Sequence, residues 1–243
     1  MRCGNELYQL ILLDFDGTLA ATLDDVAWCM TKTFEAFGLQ PPSRESVLAT
    51  MGLPLEDVLR ALSEGKSVRE EQCWVRLYRE IYKTDGALHT SLFPGVAETL
   101  ALAHQHGIAT VVLSNKGTSA IQASLERLGV ISHVDLVFGG DLTEYRKPDP
   151  RLYTTNLKRI LPAINDSEVL MVGDTETDLE FAMNACVDSC WASYGYGNRQ
   201  RCLQLAPTHI VESLYELAPL LNITCKHNRT AKGTSRCNLS ADL

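Results

Sequence analysis

In Leu10-Ile11-Leu12-Leu13-Asp14-Phe15-Asp16-Gly17-Thr18 an apolar run of strand length ends on two carboxylates one residue apart. Side chains alternate along a strand, so Asp14 and Asp16 leave it on one side while Phe15 turns back toward the apolar interior. Each carboxylate then disfavours ionisation of the other unless a cation lies between them or one keeps a proton. The end of this strand is therefore a place for chemistry rather than for stability.

Beyond residue 94, strand and helix signals alternate. Pro94 opens a helical stretch that Gly107 closes, Ile108–Leu113 is a β-rich run, and a further helix through Leu128 stops at Gly129. Val134–Phe138, Val169–Val172 and Cys190–Tyr194 read as strands, with helices predicted over Pro150–Leu161 and Leu179–Ala185. Such alternation predicts an α/β fold, a Rossmann-like and mostly parallel sheet with helices on both faces. Ligands of these sheets bind beyond the carboxyl ends of the strands. Polar residues gather at those ends: Asp14, Ser114-Asn115-Lys116, Gly139-Gly140-Asp141 and Gly173-Asp174.

Residues 20–88 interrupt this pattern with helical periodicity and no strand, which predicts a small helical unit inserted after the first strand. Thr22 and Asp25 have capping-box spacing, and Ala27, Met30, Phe34 and Phe37 follow at helical intervals until Gly38. Trp74, Leu77, Tyr78 and Ile81 form a second stripe. Both stripes read as the insert's own core rather than as a substrate box. Between them, Met51-Gly52-Leu53-Pro54 predicts a loop that faces a ligand. The expected division is an α/β core over 1–19 and 89–222, the insert over 20–88, and a disordered tail over 223–243. Asn-x-Ser/Thr triplets at Asn222, Asn228 and Asn238 carry no meaning without secretion.

At 243 residues with 45% hydrophobic and 21% charged content, the chain can bury a substantial core. A net charge of −8 argues against a nucleic acid or an anionic membrane as partner. No apolar run reaches bilayer length, and Arg2 is followed by Gly4, Asn5 and Glu6 rather than an apolar secretory segment, so a cytoplasmic location is expected. The eight cysteines are scattered without CxxC pairs and read as free thiols. His104 and His106 point to different helix faces and read as surface residues. Gly195-Tyr196-Gly197 lacks a third glycine at Gln200, which excludes a dinucleotide-binding turn.

Together the strand ends describe phosphoryl transfer. A carboxylate, here Asp14, can attack phosphorus to form an aspartyl-phosphate, but both partners are anions and need a divalent cation between them. Asp16 would protonate the leaving alcohol and later deprotonate the hydrolytic water; its structural alternative is a turn cap before Gly17. Asp174 and Asp178, at i and i+4 across a strand end and the first turn of a helix, suit one inner and one outer ligand. Mg²⁺ favours a few carboxylates, waters and phosphate oxygens, so Asp14, Asp174 and the main-chain carbonyl of Asp16, supported by Asp178, make a consistent set. Helix capping is the competing reading of Asp174 and Asp178. Lys147 is held extended by Pro148 and can offset phosphoryl charge, while Ser114 offers a hydroxyl and the amides that follow it, among them that of Asn115.

These residues resemble the haloacid dehalogenase superfamily, whose four signatures match Asp14-Phe15-Asp16-Gly17-Thr18-Leu19, Ser114, Lys147 and Gly173-Asp174-x-x-x-Asp178 in order. The likeness covers about residues 7–221 and puts the insert where the family carries its cap domain. It implies that Asp14 is the nucleophile, Asp16 the acid/base and Lys147 the charge stabiliser, with Asp14, Asp16 and Asp174 holding Mg²⁺. The family's dehalogenases and phosphonoacetaldehyde hydrolases lack an acid at the position of Asp16, so both are disfavoured. Ser114-Asn115-Lys116, Arg146-Lys147-Pro148 and Tyr194-Gly195-Tyr196-Gly197 look most like the phosphoglycolate phosphatases. The expected protein is a monomeric or homodimeric hydrolase of a small phosphorylated metabolite. Pyrophosphatase, sugar-phosphate phosphatase and phosphomutase are the alternatives within the fold, and a phospho-aspartate signalling receiver is the non-hydrolytic one. Cys186 stands where relatives end the helix with glycine, which demands a left-handed residue or a shifted helix end.

Overall fold

The strand Leu10–Leu13 lies inside a six-stranded sheet, with a parallel neighbour on each side. The computed structural model describes residues 8–63, 71–84, 86 and 88–223. In chain order, β1 (Leu10–Leu13) is followed by the short β2 (Ala20–Ala21) and by helices α1 (Leu23–Ala36), α2 (Arg44–Leu48), α3 (Leu55–Leu62) and α4 (Glu71–Thr84). The chain then returns through β3 (Ser91–Leu92), α5 (Val96–Gln105), β4 (Ala109–Leu113), α6 (Thr118–Arg127) and β5 (Leu136–Phe138). A π-helical turn over Leu152–Leu157 leads into α7 (Lys158–Ile160), β6 (Val169–Gly173), α8 (Glu176–Ala185), β7 (Asp188–Ala192), α9 (Arg199–Gln204), β8 (His209–Val211) and α10 (Leu217–Leu220).

The sheet order is β5-β4-β1-β6-β7-β8 and every pairing in it is parallel. Leu13 is in register with both Val112 and Val172, so β1, β4 and β6 end together at one edge. The apolar run of β1 has no polar alternation because both faces are covered. Ile11, Leu13 and Phe15 join a cluster with Val112, Leu100 and Leu214, whereas Leu10 and Leu12 join Met171, Leu157 and Phe181 on the other face.

Helices α1 to α4 enclose a third cluster containing Leu23, Met30, Phe34, Trp74 and Tyr78. Phe37 stacks on Trp74 at 4.3 Å and Phe34 meets it edge-on at 5.0 Å, so the aromatic stripes do form the insert's own core. The insert hangs from a narrow antiparallel pair, Ala20 opposite Leu92 and Ala21 opposite Ser91. Beside it, buried Asp25 accepts from Thr90 Oγ1 at 2.6 Å and from the His89 amide at 3.2 Å, clipping the first turn of α1 to the segment that leads into β3.

Several local expectations are corrected. Thr22 does not cap α1 with its side chain; instead the Tyr196 hydroxyl accepts from the amides of Thr22 and Leu23, and Asp25 is engaged by the returning strand. The strand predicted over Cys190–Tyr194 begins at Asp188 and ends at Ala192. Pro150–Leu161 is not one regular helix: Leu152–Leu157 form a π-helical turn and only Lys158–Ile160 are α-helical. β8 was not anticipated, and Ile223, assigned to the tail, is buried in the core. The rest of the tail, with Asn228 and Asn238, lies outside the described residues. Cys186 takes the left-handed conformation at φ 57°, so the helix end is not shifted. Cys29, Cys73, Cys186, Cys190 and Cys202 form no disulfide, while Cys3, Cys225 and Cys237 lie outside the described residues. His104 and His106 are exposed, and among the described residues no helix is long and apolar enough to cross a membrane.

Candidate active site

Asp14, Ser114 and Asp174 each stand one residue beyond their strands; the register puts Asp14 level with Leu113 and Gly173, so Ser114 and Asp174 lie one step further along the same edge, and the loop after β5 brings Lys147 across them. Asp14, Ser114, Lys147, Asp174 and Asp178 are all buried. Lys147 Nζ lies 2.7 Å from Asp14 Oδ1 and 2.5 Å from Asp178 Oδ1. Its main chain is held as well, by a 3.0 Å bond from its amide to Asn115 Oδ1 and a 3.1 Å bond from Asn115 Nδ2 to its carbonyl. The Lys147–Pro148 peptide is cis.

Asp178 divides its two oxygens. Oδ2 accepts from the amide and hydroxyl of Thr175 at 3.0 and 2.8 Å, which starts α8, and Oδ1 faces Lys147. Asp178 thus fills the capping role with one oxygen and pairs with the Lys147 ammonium through the other. Asp174 Oδ1 accepts from Thr18 Oγ1 at 2.9 Å and Oδ2 from the Tyr196 amide at 2.7 Å. Gly17, at φ 89°, and Gly195 press on this carboxylate so closely that a Cβ at either would overlap it. Neither Thr18 nor Tyr196 was singled out as a site residue, though both stand in the motifs that carried the resemblance.

Burial pushes the Asp14 carboxyl up to about 7, with Asp178 and Asp16 adding to the effect and Lys147 opposing it. Burial, followed by Asp178 and Asp14, also holds Asp174 well above the ordinary carboxylate range. Burial disfavours the Lys147 ammonium, but Asp14 and Asp178 outweigh it and keep its pKa above that of a free lysine. Asp14, Asp174 and Asp178 each place an oxygen within 4.8 Å of the others'. Three buried carboxylates against one ammonium leave an excess of negative charge with hard oxygen donors, a set that fits Mg²⁺.

The carboxylate of Asp16 stands outside that group. Lys116 Nζ holds it at 3.0 Å and lies over the ring of Tyr82, from α4 of the insert, at 4.1 Å from the centroid. Burial disfavours the Lys116 charge, yet Asp16 and the two tyrosines Tyr82 and Tyr78 hold its pKa well above the usual value. Ser114 Oγ accepts from the Lys116 amide at 3.3 Å. Asn115 spends its amide group on the protein, donating to the carbonyl of Gly52 at 2.9 Å as well as to Lys147. The Met51–Pro54 loop thus reaches the site, and Gly52 also abuts Thr175. Asp14, Asp16, Ser114 and Asn115 open into a cavity of about 1400 Å³ whose far wall is formed by α3 and α4.

Residues 11–192 match the family model of the haloacid dehalogenase-like hydrolases. A phosphoglycolate phosphatase of Pseudomonas fluorescens is 30% identical over 223 residues, spanning 88% of this chain and 80% of that protein. A phosphoglycolate phosphatase of Vibrio parahaemolyticus is 28% identical over 89% of this chain and 97% of its own length. The crystal structure of a predicted phosphoglycolate phosphatase from Haemophilus somnus superposes with a TM-score of 0.80 at 25% identity, over 88% of this chain and 97% of that one. With the four signature segments converging at one sheet edge, this chain belongs to the haloacid dehalogenase-like hydrolases.

Proposed function

We propose that the protein is a Mg²⁺-dependent phosphatase that hydrolyses a small phosphomonoester through an aspartyl-phosphate on Asp14, with phosphoglycolate as its substrate. The observation that carries this reading is the approach of Lys147 to both Asp14 and Asp178 beside Asp174. Relatives named for phosphoglycolate hydrolysis support the choice of substrate.

Asp14, Asp174 and the main-chain carbonyl of Asp16 would hold the metal, with Asp178 in support. Bound there, the cation neutralises the repulsion between carboxylate and phosphate and keeps Asp14 ionised at neutral pH. Asp14 then attacks phosphorus, and the ester oxygen leaves with a proton supplied by Asp16. In the second half, Asp16 takes a proton from water, whose oxygen attacks the phosphoryl group; phosphate departs and the Asp14 carboxylate is restored. Lys147 offsets charge on the phosphoryl oxygens throughout, and Ser114 with the amides after it binds another. Closure by the Gly52 loop excludes bulk water.

The experiment is phosphate release from a panel of phosphomonoesters, with and without Mg²⁺, by wild type and Asp14→Asn. The expected result is Mg²⁺-dependent release by wild type and none by the variant. Metal-independent turnover, or an active Asp14→Asn protein, contradicts the mechanism. Equal rates on phosphoglycolate, sugar phosphates and pyrophosphate remove the substrate assignment and leave the hydrolase.

A further inference from the structure

The main-chain carbonyl of Asp174 has a partner outside the mechanism above. β6 ends at Gly173, so this buried carbonyl has left the sheet, and the indole Nε1 of Trp191 donates to it at 2.9 Å. Trp191 is itself only 2% exposed and stands on β7 level with Gly173. Its ring packs with Leu179, Cys202 and Leu205 in a small cluster of its own, and the Arg199 guanidinium lies over it at 5.7 Å. A buried carbonyl requires a donor, and other approaches to this one are closed. Gly197 lies so near that a Cβ there would overlap the oxygen, and the Cys202 thiol stands off at 3.8 Å. Among the described residues, the indole is the strong donor that the Asp174 carbonyl has.

That bond acts on two carboxylates at once. A peptide unit is planar, and the unit joining Asp174 to Thr175 is held at both ends: Trp191 takes its carbonyl, and its amide donates to Asp178 Oδ2 at 3.0 Å. Turning the plane would draw the Asp174 carboxylate away from Thr18 and Tyr196, and would pull on Asp178, whose other oxygen faces Lys147. Asp174 and Asp178 are two of the three carboxylates that place oxygens within 4.8 Å of one another. The indole therefore reaches, through one rigid peptide, the spacing on which the candidate metal site depends.

We propose that Trp191 is a positioning residue of the metal site, fixing the Asp174–Thr175 peptide so that Asp174 and Asp178 keep the arrangement in which they would hold Mg²⁺. This rests on the Mg²⁺ reading of the carboxylate set. Groups that stand behind a metal ligand and orient it typically change metal affinity by about 10–100-fold when they are removed.

The test is calorimetric titration of Mg²⁺ into the full-length protein. Trp191→Phe keeps an aromatic ring and deletes the N–H, whereas Leu205→Ala loosens the same cluster from a side chain that has no polar atom to offer the carbonyl. Trp191→Phe is expected to weaken Mg²⁺ binding by about tenfold or more, and Leu205→Ala to melt lower while binding Mg²⁺ as wild type does. A second measurement needs no Trp191 variant. In nitrogen-15-labelled wild type, Mg²⁺ is expected to shift the Trp191 indole N–H resonance, assigned by elimination from the spectra of Trp28→Phe and Trp74→Phe. Unchanged affinity in Trp191→Phe, an equal loss in Leu205→Ala, or a Trp191 resonance that does not move overturns the assignment. Failure of the two readings is distinguishable. Equal Mg²⁺ binding by wild type and Trp191→Phe leaves the metal site standing and removes only the role of Trp191; no binding by wild type removes the Mg²⁺ reading and this role with it.

Discussion

Tyr196 ties Asp174 to the start of α1: its amide donates to Asp174 Oδ2 at 2.7 Å while its hydroxyl accepts from the amides of Thr22 and Leu23 at 2.8 and 3.1 Å. Tyr196→Phe keeps the first contact and deletes the second, leaving helix-start amides without their acceptor. The expected loss is about 1–2 kcal/mol. Urea denaturation should show a lower midpoint at unchanged slope; a variant as stable as wild type would mean that the amides find other partners.

Metal binding should stabilise the protein in a pH-dependent way. The Asp14 carboxyl is raised from 3.8 to about 7 in the fold, and Asp174 is raised with it. The metal-free folded state therefore keeps protons that the unfolded chain releases. The Asp14 contribution to stability is complete below pH 3.8 and is lost as pH rises through about 7, and Asp174 acts in the same direction. Mg²⁺ competes with those protons, so it should raise the melting temperature more at pH 8 than at pH 5. At a hundredfold excess over its dissociation constant the gain is about 2.7 kcal/mol. Equal shifts at the two pH values, read by scanning fluorimetry, would detach the carboxylates from the metal.

Gly195 leaves no room for a side chain. A Cβ there meets the side chain of Asp174 and, at 2.5 Å, the carbonyl oxygen of Gly17. Gly195→Ala must displace one of them, and a shift of about 1 Å in a reacting group can cost roughly a hundredfold in rate. A steady-state assay on the folded variant should show that fall in kcat. Activity within a factor of about three of wild type would show that the loop yields instead.

Cys186 supports a reversed prediction, a gain. It holds φ 57° and ψ 36° at the end of α8 with its side chain in solvent. Left-handed backbone costs a residue with a Cβ about 1–2 kcal/mol. Cys186→Gly should recover part of that as a higher melting temperature, and Cys186→Val should lower it; the opposite order would refute the strain.

The site was legible because its chemistry sits where parallel strands end. Four apolar runs, each followed by a carboxylate, hydroxyl or glycine, place those groups at one edge once the strands are parallel, and the register of Leu13 with Val112 and Val172 does so. What escaped depends on partners distant in the chain. Thr22 reads as a cap by spacing alone, yet its helix is capped from 174 residues away. β8 offers three residues of which only Val211 is buried while Ile210 is 48% exposed, so no apolar period announces it. Lys116 was quoted only as part of a motif, because its partners Asp16 and Tyr82 lie far from it in the chain and meet it only in the fold.

The placement of β1 between β4 and β6 gives the reaction a yardstick. Adjacent strands lie about 4.8 Å apart, so Asp14, Ser114 and Asp174 stand on a backbone comb whose teeth are spaced by hydrogen bonding, not by side-chain choice. Two such intervals, about 10 Å, separate the strands that carry Ser114 and Asp174, with Asp14 on the strand between them. Whatever occupies the cavity beyond it, that spacing is fixed by the backbone of the sheet.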